Sequence, residues 1–111
     1  KVCEMKDESE TEGWGRYFLI PDLFRTLQIP APPEFHHPEY RMTLDYPEDF
    51  AFIREVYGRL YRPGRPFPLG EAMDLLERNP EIPVINASRQ EEYLSRFRAK
   101  YSHVKLKKER P

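Results

Sequence analysis

A chain of 111 residues, with 18 Lys and Arg against 19 Asp and Glu, has the length of about one small domain and a formal charge of −1, so no global electrostatic force draws it to nucleic acid or an anionic membrane. Its single cysteine, Cys3, excludes an internal disulfide framework, and no apolar run approaches a membrane span, so a soluble cytoplasmic protein with no nucleic-acid and no membrane partner is expected. The 12 prolines forbid long ladders and long helices across them, so regular elements must be short and lie between these marks.

Residues 1–12 are mostly Lys, Glu, Asp and Ser, with Val2 and Met5 as apolar anchors, and read as a solvated lead. Cys3 reads as an inert thiol, because a thiolate nucleophile needs a positioned base or a cationic neighbour. Trp14, Tyr17, Phe18, Leu19 and Ile20 form a dense apolar run that calls for burial. Within it, Trp14 and Arg16 are candidate substrate-binding residues. Gly13 and Gly15 allow close backbone approach, Trp14 offers a flat apolar surface, and Arg16 can grip a carboxylate or phosphate with two donors. Plain structural packing is the competing reading of the same segment.

Leu23 to Ile29 alternates well enough for a strand, closed by Pro30-Ala31-Pro32-Pro33. An extended linker then reaches Tyr40, and Met42 to Asp45 reads as a second strand that pairs with the first. His36-His37, with Glu34, Glu39 and Asp45 nearby, raises the question of a zinc site. Adjacent residues of an extended chain point in opposite directions, which favours a polar, proline-flanked loop instead.

Pro47 can open a helix without its N–H, and a helix is expected from Pro47 to Leu60 with Glu48 and Asp49 in the first turn and Arg59 near the end, in accord with the helix dipole. Phe50, Ile53, Tyr57 and Leu60 form its expected buried stripe, widened by Phe52 and Val56. A short helix follows over Leu69 to Glu77, with Leu69, Ala72, Met73 and Leu76 inward, closed by Asn79-Pro80. A last helix is expected from Ser88, capped reciprocally with Glu91, with Tyr93, Leu94, Phe97 and Tyr101 on its apolar face. Residues 105–111 read as a frayed tail, whose lysines alone do not make a nucleic-acid site.

Asp45 stands at the carboxyl end of the second expected strand and at the mouth of the first long helix. Open α/β sheets place ligands there, but an Asp just before a helix is also a common cap, and the residues alone leave both readings open. The run Arg41-Met42-Thr43-Leu44-Asp45-Tyr46-Pro47-Glu48-Asp49-Phe50, with Ile53-Arg54 and Tyr57, resembles the last core segment of the sugar cytidylyltransferases, above all the spore-coat polysaccharide group, cousins of the CMP-Kdo and CMP-sialic acid synthetases. Thr11 to Phe18 upstream, and Phe67-Pro68-Leu69, Leu75-Leu76, Asn79-Pro80-Glu81-Ile82 and Ile85-Asn86 downstream, extend the likeness over roughly residues 10 to 90.

This resemblance implies an α/β fold: the C-terminal part of a nucleotide-diphospho-sugar transferase-like, Rossmann-like α/β/α domain, here two short strands plus about three helices, with Val2-Cys3-Glu4 ending a strand. It divides the chain into a lead (1–12), a core segment (13–86), a C-terminal helix (87–104) and a tail (105–111). It implies transfer of CMP from CTP to a sugar with Mg2+ as cofactor, Asp45 as one metal carboxylate, CTP and a sugar acceptor as partners, and a homodimer among the assemblies to consider. The family's triphosphate-binding loop and second metal acid have no counterpart in these residues, so the chain by itself is expected to be inactive. A different class of reading is a non-catalytic interaction module that docks through Trp14 to Ile20 and the helix from Ser88 to Tyr101.

Overall fold

A computed structural model describes residues 1–7, 13–101 and 106–107. The chain falls into two compact units, one from Pro30 to Tyr93 and one made of Lys1–Ile29 with Leu94–Pro111. The elements in order are α1 (Val2–Met5), a 3-10 helix (Trp14–Leu19), a 3-10 turn (Pro33–Phe35), α2 (Pro47–Leu60), α3 (Leu69–Arg78), α4 (Val84–Ala87) and α5 (Arg89–Lys100).

The expected α/β fold is corrected by this architecture. Among the described residues there is no strand, only two isolated bridges, Lys6 with Leu106 and Arg62 with Arg65. The physical reason lies in the ladder. A strand persists when a neighbour takes its N–H and C=O groups, and neither Leu23 to Ile29 nor Met42 to Leu44 has such a neighbour among the described residues. Leu27 and Ile29 are 85% and 83% exposed, so the alternation that looked like a half-buried strand leaves its last two apolar residues in solvent. Val2-Cys3-Glu4 is likewise helical, not the end of a strand.

In the Pro30–Tyr93 unit, α2 packs on α3 and α4, and α3 packs on the Pro33–Phe35 turn. Phe52, Val56, Ala72, Leu75, Leu76 and Ile82 make the core, with Tyr40, Ile53, Leu60 and Phe67 packed against it. α2 has the expected bounds, and of its expected stripe Phe52 and Val56 are buried and Ile53 and Leu60 pack against the core. Asp49, Phe52 and Val56 point inward, whereas Phe50 and Tyr57 are more than half exposed. The inward stripe thus begins on a carboxylate, which a purely apolar template cannot find.

α3 begins at Leu69 as expected and ends where Asn79 caps it. The Asn79 backbone N–H and side-chain Nδ2 both donate to the Leu75 carbonyl, at 3.0 and 2.8 Å, and Pro80 cannot continue the helix. Leu69, expected inward, is half exposed, and Leu75, not among the expected inward residues, is buried. Between α2 and α3, Pro63-Gly64 turns the chain, with Gly64 at φ 73° and the Arg65 N–H on the Arg62 carbonyl at 3.0 Å.

α5 starts one residue after the expected Ser88. That residue keeps helical angles (φ −63°, ψ −20°) at the end of α4, so it is not the extended residue that a capping box requires.

In the other unit, Tyr17 is buried, as are Tyr101 and Val2, while Trp14 and Leu19 remain 56% and 70% exposed. The apolar run expected to be buried therefore sends the Tyr17 ring inward, covers Ile20 in part and leaves Trp14, Phe18 and Leu19 at the surface. Gly13, at φ 73°, lies so close to the Tyr101 ring that a Cβ there would meet ring carbons at 3.1 to 3.3 Å. Lys107 N–H donates to the Met5 carbonyl at 2.8 Å. Residues 8–12, with Thr11-Glu12 of the quoted motif, and 102–105 and 108–111, with most of the expected tail, lie outside the described residues.

Candidate functional site

The most highly connected polar cluster of the Pro30–Tyr93 unit sits at the start of α2. Pro47 is the first helical residue, so Asp49 occupies the third position, from which a side chain can reach back to the N–H groups before the helix. Asp49 Oδ2 accepts from the Tyr46 and Asp45 backbone N–H groups, both at 2.9 Å, and from Arg41 Nη2 at 3.0 Å. Its Oδ1 accepts from Arg41 Nε at 2.9 Å and Asn86 Nδ2 at 2.8 Å.

Asp49 and Asn86 are fully buried and Arg41 nearly so. Burial pushes the Asp49 carboxyl up, but the Arg41 guanidinium, the Asp45 N–H, the Asn86 amide and the Tyr46 N–H outweigh it and hold it far below the usual carboxylate range. Arg41 moves the opposite way: its bond to Asp49 raises its pKa more than burial lowers it.

Arg41 distributes its donors over three elements. Besides Asp49, Nη1 donates to Gln90 Oε1 at 2.9 Å and Nη2 donates to Asp45 Oδ2 at 2.8 Å. Its guanidinium also lies over the Tyr93 and Tyr46 rings, 4.8 and 5.3 Å from their centroids. Asn86 completes the tie by donating to the Arg41 carbonyl at 2.9 Å, while its Oδ1 is buried with no hydrogen-bond donor on it among the described residues.

Asp45 is the outward member of this cluster. Its side chain is 36% exposed, Oδ2 is held by Arg41, and among the described residues no hydrogen bond reaches Oδ1. The capping reading of Asp45 is not what the geometry shows, since Asp49 takes the N–H groups of both Asp45 and Tyr46. Glu48, beside it, is engaged by Arg89 in a two-pronged pair (2.9 and 3.0 Å), which holds its carboxyl below the ordinary value. Of the acids near the helix mouth, Asp45 alone offers an unengaged oxygen to the outside.

Trp14 and Arg16, the candidate substrate-binding residues, belong to the other unit. The Arg16 guanidinium lies over the Tyr17 and Tyr101 rings, 5.1 and 4.7 Å from their centroids, a packing role for its flat face. Trp14 meets Phe18 edge to face at 5.5 Å and keeps much of its own face in solvent. Together with Lys1, Val2, Cys3 and Phe18 it lines a shallow apolar cavity of about 300 Å3.

The His36-His37 pair lies in a polar, proline-flanked loop, as preferred from the sequence, but His37 is tied down there. His37 bridges two elements, with Nδ1 on Glu39 and Nε2 on Glu77 of α3, both at 2.9 Å, and its ring stacks on Tyr40 at 4.5 Å. His36 is exposed. Among the described residues no group of three or more His, Cys, Asp or Glu is placed to hold a metal ion.

Both ring nitrogens of His37 face carboxylates, an arrangement made for imidazolium, and the Glu39 bond is the main cause of its raised pKa. A raised folded-state pKa contributes stability below the ordinary value of 6.5 that is lost as pH rises through the folded value; Glu39, shifted down by the same bond, contributes above 4.5 and loses it in acid. The melting temperature of the chain is therefore expected to fall as pH is raised above 6.5, and His37→Gln to flatten that slope. An unchanged slope in the variant would show that the clamp does not hold in solution.

The Arg41–Asp49–Asn86 tie could not be seen in the sequence, because Arg41 and Asn86 are 45 residues apart and nothing in the quoted runs pairs them. One signal was present: an Asp three residues after the helix-entry residue Tyr46, with Pro between, is the spacing of a reciprocal cap.

In comparisons with known proteins, no family model and no solved structure matches the chain. Over 62 residues, 55% of the chain, it is 37% identical to the spore coat polysaccharide biosynthesis protein SpsF of Bacillus subtilis (strain 168). The matched stretch covers 25% of that relative, so the chain spans about a quarter of the length of the curated protein it matches. No described helix is long and apolar enough to cross a membrane.

Proposed function

We propose that this chain is the carboxyl-side segment of a cytoplasmic nucleotidyltransferase that transfers CMP from CTP to a sugar, activating it for polysaccharide or glycoconjugate synthesis. The partial identity with a polysaccharide biosynthesis protein supports the class, and one structural observation carries the site: a buried Arg41–Asp49–Asn86 tie that presents the exposed Asp45 at the mouth of α2.

The donor set fits a contribution to magnesium, not a whole site. Magnesium takes hard oxygen ligands, keeps several waters and needs only one or two carboxylates alongside substrate phosphates. Asp45 can supply one; Asp49 cannot, since five donors saturate its oxygens, and Glu48 is taken by Arg89. When bound, such an ion would neutralise charge that develops on the phosphates during transfer. The chain's own work is to hold Asp45 in place and to exclude water from the charged tie beneath it.

A single carboxylate without a triphosphate cradle lacks most of the positioning and electrostatic stabilisation that this chemistry needs, so the chain alone is inactive in this reading. The test is release of pyrophosphate from CTP, against ATP, GTP and UTP, with a panel of sugar acceptors. The 111-residue chain should give none, and the longer natural product that contains it should release it with CTP only. Equal turnover of all four nucleotides by the longer protein, or turnover by the chain alone, contradicts the proposal. Exposed Trp14 and Leu19 favour the competing reading, an interaction module, which predicts no nucleotide consumption by either protein.

A further inference from the structure

We infer that Arg41 is a positioning residue that limits Asp45 to one oxygen for a divalent cation, withholding the other; this inference rests on the proposed magnesium role of Asp45. The geometry is specific. Arg41 cannot shift to release Asp45, because Nε and Nη2 are fixed on the two oxygens of a fully buried carboxylate and Nη1 is fixed on Gln90. The same Nη2 that bonds Asp49 Oδ2 at 3.0 Å also holds Asp45 Oδ2 at 2.8 Å. The Asp45 backbone is held as well, since its N–H donates to Asp49. The backbone N–H and Oδ2 of Asp45 are thereby anchored to one pair of buried charges, and Oδ1 alone is left for a ligand.

Two consequences follow for a cation at Asp45. Its contact is to one oxygen, which leaves more of the ion's coordination shell to water and substrate oxygens, the arrangement magnesium favours. The contact is also weak, because a fixed guanidinium charge sits on the neighbouring oxygen and repels the ion. Arg41 therefore exchanges affinity for orientation, and its removal should move the two in opposite directions.

Lysine at this position keeps a charge for Asp49 but has a point ammonium in place of the fork, so it cannot also hold Asp45. The 111-residue chain is titrated with Mn2+, and paramagnetic broadening of the Asp45 and Tyr46 amide signals is followed by NMR. The wild type should show weak broadening that Asp45→Asn abolishes, and Arg41→Lys should tighten binding by about three- to tenfold, the Coulomb effect of moving one charge a few ångströms in a solvated setting. In the longer protein the same variant should lower kcat, a divergence that simple loss of structure does not produce.

Where Arg41→Lys does not fold, the wild type decides: on saturation with Mg2+ the Arg41 guanidinium N–H signals should persist, and their loss would mean that the ion takes both oxygens, which overturns the inference. Asp45-dependent Mn2+ binding that Arg41→Lys leaves unchanged also overturns it while sparing the magnesium role. No Asp45-dependent broadening in any variant removes both.

Discussion

Asp49→Asn is expected to unfold the Pro30–Tyr93 unit, although the two side chains have nearly the same shape. All five hydrogen bonds at the Asp49 carboxylate are accepted ones: two at Oδ1, from Arg41 Nε and Asn86 Nδ2, and three at Oδ2, from Arg41 Nη2 and the Asp45 and Tyr46 N–H groups. An asparagine has one accepting and one donating end, so whichever way it turns, its NH2 faces two or three other donors. The substitution also leaves the Arg41 charge buried, at 4% exposure, without its carboxylate.

Breaking one member out of a buried ion pair typically costs about 3–5 kcal/mol. A unit of this size has a total stability on the order of 3–10 kcal/mol, so the loss consumes most or all of it. Urea unfolding followed by near-ultraviolet circular dichroism should show no cooperative transition, or one displaced by at least about 3 kcal/mol. A transition within about 1 kcal/mol of wild type would mean that the buried tie is not what holds α2, α4 and the Tyr40 to Tyr46 segment together.

The same tie shows where sequence reasoning succeeded and where it stopped. α2 and α3 were legible because proline and asparagine fix their ends by local chemistry: Pro47 at the first helical position, Asn79 at the last carbonyls, and acids and bases at the correct poles. The apolar part of the buried face of α2 was legible in Phe52, Ile53, Val56 and Leu60, but its charged first member was not. An apolar template also selects Phe50 and Tyr57, which are exposed, while the inward position one turn before Phe52 is filled by Asp49, whose burial depends on Arg41 from outside the helix and Asn86 from α4. A charge enters a core only when its partners are there, and those partners are long-range facts.

The strands failed for a related reason. Alternation at Leu23 to Ile29 and Met42 to Leu44 describes a chain that could pair, while pairing requires a second segment at about 4.8 Å, which the described residues do not provide. Met42 and Leu44 are instead exposed, and Met42 lines an open apolar groove of about 360 Å3 with Phe52, Tyr57 and Phe67. The candidate site was half legible: Asp45 was singled out by its place before the helix, whereas the alternative capping role belongs to Asp49.

Asp45→Asn should separate chemistry from stability, in contrast to the variant four residues later. Asparagine keeps a carbonyl oxygen where Asp45 Oδ2 accepts from Arg41 Nη2, and its NH2 replaces an oxygen that carries no hydrogen bond, so no donor is set against a donor. The lost interaction is one partly exposed ion pair, worth about 1 kcal/mol or less, and Asp49 remains to hold Arg41. In the longer enzyme of the proposed function, however, the substitution removes the one carboxylate oxygen offered to magnesium, and loss of a single preorganised electrostatic contact costs about 10²–10³ in kcat. The measurement is kcat for CTP-dependent pyrophosphate release beside the urea midpoint of the same preparation. A fall of that size at an unmoved midpoint assigns Asp45 to the reaction. A kcat within about threefold of wild type would instead leave Asp45 as the outer member of a structural tie whose purpose ends at folding, and the magnesium reading would fall with it.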